Sequence, residues 1–403
     1  VVIQHKPFWA AERRSHNAFG FPQSQVDIAI IGGGLKGLAT MYLLSALNRS
    51  CILLERGSIG GGESTRNIGA VCTVPDCSPN TFDENVIIER IRMAETNRDK
   101  IGMLLDELQY GVDFVRNGGL HLAANATQLA QLEVLHRLLA QNNIVCDELD
   151  SDQINALVAG SRFEAGLYYP SEATLNPSKL LDLLVLLNAA FTHNAAVEYF
   201  TVDRVEETGT GVDILSDRGT RIHASVVIIC TDQFSHFYTN SEIPIGEESA
   251  SLCFATEPLD KILGKTSMSS RTVTGMQAWT IYDGRIIYSF RNRSSAGDNF
   301  AQDNDDIRKA QRFLTHYLPT SKGHHHQEYI WSSTYRKAAS LLPFTALAPG
   351  SNKIILNVDY GYSVLDLFLA GAEKVAIHTQ EVLNNQPVGG AESVEQSSEG
   401  DPE

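Results

Sequence analysis

The stretch from Val26 to Glu55 constrains the fold more than any other part of the chain. Val26-Asp27-Ile28-Ala29-Ile30-Ile31 is short, apolar and β-branched, which predicts a buried strand. Gly32, Gly34 and Gly37 follow in a G-x-G-x-x-G pattern, and Leu35, Leu38, Ala39, Tyr42, Leu43 and Ala46 then recur at helical spacing. Cys51-Ile52-Leu53-Leu54 is a second strand signal that ends in Glu55. Each part has a physical task. Gly32 makes a tight turn, Gly34 lets a pyrophosphate approach the backbone, and Gly37 packs helix on strand. The helix N-terminus turns amides and a positive dipole end toward the phosphates. Glu55 stands where an acid accepts hydrogen bonds from a ribose hydroxyl, with Arg56 beside it. Three glycines alone would suit any loop; two strands, a helix and a terminal acid around them make a dinucleotide-binding βαβ unit. These residues do not decide between FAD and NAD.

The rest of the composition narrows the function class. The 403 residues, 43% apolar and 20% charged, suit two globular domains or one interleaved pair. A formal charge of -16 argues against nucleic acid and anionic membranes as partners. Residues 389–403 hold five acids and no base, and are expected to be a disordered acidic tail. No apolar run reaches the length of a membrane span. No leader sequence is read, and the expected location is the cytoplasm. Cys51, Cys72, Cys77, Cys146, Cys230 and Cys253 are dispersed, which fits reduced, core-filling thiols. No metal is expected: Cys72 and Cys77 lack a second pair, and His324-His325-His326 would point to alternate sides of a solvated loop.

Along the chain, residues 1–25 read as an extension anchored by Phe8 and Trp9. Gly57 to Gly69 is rich in glycine and small hydroxyls, a composition suited to backbone fitted closely around a ligand. Helices are predicted over 84–108, 126–141, 151–158 and 179–190, the last capped by Asn176 with Pro177 in its first turn. Strands are predicted over 197–200, 202–206, 212–215 and 222–230, and then in alternation from about 252 to 293. A helix over 305–317, a strand over 354–358 and a helix over 365–383 complete the pattern. The late return of strand and helix predicts an α/β fold whose nucleotide-binding domain is discontinuous, with a β-rich domain inserted.

These residues resemble the D-amino-acid-oxidase-like FAD-dependent oxidoreductases, especially the γ-glutamylputrescine-oxidase-type branch, over roughly residues 26 to 385. Gly60 to Gly69 is similar to the family's G-x-G-A-S-x-R-N-x-G loop against the flavin. Leu167-Tyr168-Tyr169-Pro170 and Leu175 to Leu180 resemble its entry into the substrate domain. Phe200-Thr201-Val202 looks like the strand whose valine backbone meets the adenine. Val226 to Asp232 resembles the V-V-L-A-T-N strand end, which brings in Thr231. Thr256-Glu257-Pro258-Leu259, Asp283-Gly284-Arg285 and Trp331-Ser332-Ser333 with Pro343 follow in the family's order. Two departures stand out. Ala338 and Ser340 replace the usual Thr and Asp, and the flavin-side G-H-G-V reads Gly361-Tyr362-Ser363-Val364.

The resemblance implies FAD, held noncovalently, and a Rossmann-like FAD-binding domain over residues 26–80, about 145–235 and 330–388. An α+β substrate domain would take about 81–144 and 236–329. Ser64, Thr65, Arg66 and Asn67 would support the cofactor, Arg66 as a cation near the reduced flavin's negative charge. Gly361, Tyr362 and Ser363 would lie beside the ring. Arg336 with Tyr335 would clamp a substrate carboxylate, Tyr362 would face the reacting centre, and Arg291 and Arg293 are weaker candidates for the clamp.

The expected function is oxidation of a C–N bond in a small amine or amino acid by hydride transfer to flavin N5, followed by hydrolysis of the imine. The electron acceptor is left open. The competing expectation, which the altered loop favours, is a flavin-binding protein with little turnover that works through a protein partner.

Overall fold

The computed structural model describes residues 3–12, 18–76, 82–158, 160–232, 235, 248–259, 268–273, 275–293, 304–319, 325–336, 341–358, 361 and 364–385. The first sheet has the strand order Phe344–Leu347, Ile354–Val358, Arg221–Ile229, Gln25–Ile31, Cys51–Leu54, Asn194–Val197. Its central pairings are parallel: Ile28 faces Val226 on one side and Cys51 on the other, and Ile228 faces Ile355. The strand Ile354–Val358 therefore joins the sheet that the N-terminal unit begins, and this sheet is discontinuous in sequence.

Both faces of this sheet are covered, so its strands are apolar on both sides. Ile28, Ile30 and Leu53 pack beneath the helices Leu35–Leu44, Pro177–Ala189 and Phe368–Asn384. Ala29, Ile31, Ile52 and Leu54 pack on the opposite side with Val212 and Ile214, from an antiparallel ribbon of Val202–Glu207 and Val212–Ser216. Asn176 caps its helix by accepting from the amides of Ser178 and Lys179, with Pro177 in the first turn.

The second sheet has the order Gln327–Arg336, Glu248–Thr256, Arg285–Arg293, Gln277–Tyr282, Ser269–Thr272, Gly119–Ala123, Ala165–Tyr169, Asp147–Asp150. One face, with Phe254, Tyr288 and Trp279, buries against Ala310 and Leu314 of the helix Asn304–Tyr317 and against Leu318 just beyond it. The other, with Cys253, Ile287 and Trp331, packs on Ile68 and on Ala70 of the short strand Ala70–Val71, with Phe8 and Trp9 in the same cluster. Phe8 and Trp9 are thus anchors, and Trp9 also donates its indole N–H to the Asn67 carbonyl at 2.8 Å.

Two differences from expectation have physical causes. The strand expected at 197–200 runs instead over Asn194–Val197. Beyond it the chain bends: Tyr199 takes a positive φ of 58°, and the Glu198 carboxylate accepts the Ile59 amide at 2.7 Å. The strands Asp147–Asp150, Ala165–Tyr169 and Gln327–Arg336, which the sequence blocks group wholly or mostly with the nucleotide-binding part, hydrogen-bond in the second sheet. Pairing partners, which lie far away in sequence, decide sheet membership, and we propose the domain division by sheet. Cys51, Cys72, Cys146, Cys230 and Cys253 are free thiols. Cys77, His324 and the acidic stretch 389–403 lie outside the described residues.

Candidate functional site

The carboxyl ends of the strands Gln25–Ile31, Cys51–Leu54 and Arg221–Ile229 open on one cleft of about 920 Å³, counted out to open solvent. Gly32, Gly34, Lys36, Glu55, Arg56, Gly60, Ser64, Val202, Thr231 and Asp232 are among its lining residues. This is the place that the parallel topology provides for a ligand, outside the strand ends where connections diverge.

Why these residue types stand here is visible in the packing. Gly32 has φ +110°, and a Cβ there would lie 3.0 Å from the Cys230 carbonyl oxygen. A Cβ on Gly37 would come within 2.0 Å of the Gly32 carbonyl oxygen, so only glycine lets the helix start this close to the loop. At Gly34 a Cβ would meet the Ser64 hydroxyl at 2.7 Å. That hydroxyl accepts the Leu35 amide at 3.0 Å, which joins the Gly57–Gly69 loop to the helix N-terminus.

Glu55 works twice within the protein. One carboxylate oxygen accepts the Gly33 amide at 2.8 Å, and the other accepts the Gly57 amide at 2.7 Å. Each oxygen retains a further lone pair. Thr65 and Asn67 are not among the residues lining the cleft; they shape the loop. The buried Thr65 hydroxyl donates to the Gly60 carbonyl at 3.0 Å. The Asn67 amide donates to the Ser64 carbonyl at 2.8 Å, while its oxygen accepts the Gly69 amide at 2.8 Å.

Arg66 connects the loop to the second sheet. Its guanidinium donates to the Ser332 carbonyl at 2.7 Å, and its own carbonyl accepts from the Trp331 indole at 2.8 Å. Beside it the Glu63 carboxylate accepts the hydroxyls of Ser333 and Thr334, each at 2.7 Å. Burial pushes the Glu63 carboxyl above its ordinary range, against the pull of those hydroxyls and of Arg66. Trp331, Ser333 and Tyr335 alternate along one strand, so Tyr335 continues the row that meets this loop. Its neighbour across the ladder is Ser249.

Other candidates are placed less directly. Arg336 ends its strand opposite Glu248, and its side chain lies outside the described residues, as does that of Arg293. Gly361 takes φ +69°, whereas Tyr362, Ser363, Ala338 and Ser340 lie outside the described residues. Arg291 is bound to Asp76 in an ion pair, so the charge meant for a substrate already has a protein partner. His325 is 3% exposed, which corrects the reading of a solvated histidine loop at that position. It lies just before the strand Gln327–Arg336. No cluster able to hold a metal ion is found among the described residues.

Sequence reasoning missed two features. One is the Lys36–Asp232 ion pair in the cleft, whose signal was a lysine at the second position of an otherwise apolar helix. The other is a buried charge cluster under the second sheet. Arg271, 1% exposed, donates through both terminal nitrogens to Glu172 at 2.6 Å, and its Nε lies 2.5 Å from Asp76. Burial alone would raise the Asp76 carboxyl, but Arg291 and Arg271 hold it far below the carboxylate range.

Comparison with known proteins adds the following. The family model described as FAD dependent oxidoreductase (DAO) matches residues 27–376. Gamma-glutamylputrescine oxidoreductase of Escherichia coli (strain K12) is 26% identical over 179 residues, 43% of this chain and 42% of that protein. Mitochondrial sarcosine dehydrogenase of Homo sapiens is 24% identical over 159 residues, 38% of this chain and 16% of that protein. The matched stretches thus span less than half of either curated relative. Among solved structures, glycine oxidase from Geobacillus kaustophilus superposes with a TM-score of 0.76 at 15% identity, covering 89% of this chain and 95% of that one. L-amino acid deaminase from Proteus vulgaris gives 0.74 at 12% identity, covering 93% and 97%. At such identities the structural likeness speaks for the fold alone.

Proposed function

The chain belongs to the FAD dependent oxidoreductase (DAO) family, and from that premise we propose that it oxidises a C–N bond of a small amine or amino acid. The observation that carries this reading is the Arg66 bridge: one residue of the cofactor-side loop is fixed to Trp331 and Ser332 of the second sheet. A cofactor cradle and a sheet able to orient a small substrate are thereby held against each other. The substrate class is supported by the relatives, which are named for gamma-glutamylputrescine, sarcosine, glycine and L-amino acids.

The residues present fit a dinucleotide. Gly32, Gly34 and Gly37 let the loop, the helix start and Ser64 pack closely at the edge of the cleft, and the N-terminus of the helix Leu35–Leu44 would face the pyrophosphate. Glu55 would accept from a ribose hydroxyl with the lone pairs not used by Gly33 and Gly57, and the Val202 backbone would meet the adenine. When bound, FAD would supply the two-electron oxidation of the substrate. Arg66 would oppose negative charge at the ring. Tyr335 would orient the substrate from the sheet, and the apolar packing of Ile68, Cys253 and Trp331 would exclude water from that side. The cofactor is held without a covalent bond in this reading.

Anaerobic mixing of the purified yellow protein with a panel of amines and amino acids tests the proposal. Bleaching of the flavin band by at least one of them is expected. A stable oxidised spectrum with every compound would instead favour the second reading, a flavin-binding protein with little turnover, for which Tyr362 and Ser363 in the flavin-side sequence speak.

A further inference from the structure

Lys36 occupies an unusual position. It is the second residue of the helix Leu35–Leu44, and helical side chains lean back toward the N-terminus. Its ammonium is thereby delivered into the cleft beside Gly34, where the residue is only 4% exposed. The positive end of the helix dipole repels a cation there, and burial strips it of water. It therefore needs an anion. Asp232, just beyond the strand Arg221–Ile229, forms an ion pair with it, though the aspartate side chain is 37% exposed against 5% for the lysine. The neighbouring Cys230 cannot take that part, since burial pushes its thiol up to about 12 even with Lys36 nearby.

Among the described residues, the charged groups lining the cleft are Lys36, Arg56, Glu55, Glu63 and Asp232, formally one negative charge in excess. A pyrophosphate entering this space meets carboxylates as well as amides. We propose that Lys36 is the counter-charge that admits the dinucleotide pyrophosphate, and that Asp232 holds the ammonium in the cleft when no phosphate is there. The inference rests on the cofactor reading above and adds a residue that the glycine pattern does not contain. It follows that Asp232 opposes phosphate binding through its own charge, and that Lys36 cancels this opposition.

Titration of apo-protein with FAD, followed by quenching of flavin fluorescence, tests both roles in the wild type, Lys36→Met, Asp232→Asn and the double variant. Lys36→Met should weaken FAD at least about tenfold, and the loss should shrink at high salt as the remaining carboxylates are screened. The double variant should recover most of that affinity, and Asp232→Asn alone should bind FAD more tightly than wild type. An unchanged affinity in Lys36→Met, or a double variant as weak as Lys36→Met, would overturn the inference. If Lys36→Met apo-protein does not melt cooperatively, the Asp232→Asn result decides: tighter binding supports the role, and unchanged or weaker binding overturns it. A wild-type protein that binds no FAD would instead sink the cofactor reading and the inference with it.

Discussion

Trp331 donates its indole N–H to the carbonyl of Arg66 at 2.8 Å, and through this bond the second sheet sets the position of the Gly57–Gly69 loop. The donor is 1% exposed, so neither partner can exchange the bond for water without local opening. Arg66 returns a bond to Ser332, the next residue along the same strand. Two reciprocal bonds between neighbours fix both distance and orientation, which a single contact would not.

Trp331→Phe should keep the ring packing but leave the Arg66 carbonyl without its donor. Leaving a buried acceptor unsatisfied costs about 1–3 kcal/mol. A lowered urea midpoint together with weaker FAD retention is expected. Unchanged retention would show that the loop keeps its shape without the sheet.

Gly37→Ala should abolish FAD binding, because its Cβ would stand 2.0 Å from the Gly32 carbonyl oxygen. Gly209→Ala, where nothing lies within 4 Å, serves as the control. Flavin absorbance per mole of purified protein reads both. Yellow Gly37→Ala protein would mean that helix and loop can separate without loss of the site.

Glu172→Gln should destabilise the fold strongly. Glu172 is 0% exposed and accepts from Arg271 and Ser269. Removing one partner of a buried charge cluster typically costs about 3–5 kcal/mol. Denaturant unfolding should show the loss, whereas a change below about 1 kcal/mol would place the cluster's anionic weight on Asp76 alone.

Asp366 supplies a pH signature. Burial raises its carboxyl to about 6, even with the Arg90 guanidinium 2.8 Å away. Its folded pKa lies above its unfolded value, so between about pH 4 and 6 the folded state binds more protons. This group's contribution therefore makes stability fall as pH rises through that window. Asp76 acts oppositely: its depressed carboxyl stabilises the fold above the unfolded value, and that stabilisation is lost in strong acid. Asp366→Asn should remove the first dependence, so its stability relative to wild type should rise from about pH 4 to 6. A constant difference across those pH values would refute the assignment.

Much of the cradle was legible because it is local. Gly32, Gly34, Gly37 and Glu55 lie within one βαβ unit, where spacing alone fixes who meets whom. Ser64, read as a cofactor-side residue, does line the cleft, but its hydrogen bond to the Leu35 amide was not readable, because loop closure over 29 positions leaves no periodic trace. Lys36 with Asp232 and Arg271 with Glu172 and Asp76 were invisible for the same reason. Each set joins residues on separate elements, and Lys36, Arg271 and Glu172 are buried where composition would place apolar side chains. The strand Gln327–Arg336 was not read as a strand at all, because its small polar residues, Ser332, Ser333 and Thr334, break the apolar pattern. They are polar because they face Glu63 and neighbouring backbone.

Truncation after Gly350 should leave a protein that cannot hold FAD, since Ile354–Val358 pairs in parallel with Arg221–Ile229 beside the cleft. Stoichiometric FAD in the shortened chain would show that the remaining strands suffice.

That strand also orders events in time. During synthesis the N-terminal βαβ unit leaves the ribosome first, yet the strand that flanks Arg221–Ile229 emerges more than a hundred residues later. Closing such distant pairings is slow. Cofactor capture is thus expected to follow emergence of Ile354–Val358, with a nascent intermediate whose apolar strand edge, Val227 to Ile229, waits uncovered. Ribosome-stalled chains ending before Ile354 should bind chaperones at that edge and no FAD, and the burden of solubility in that interval falls on the chain's excess of negative charge.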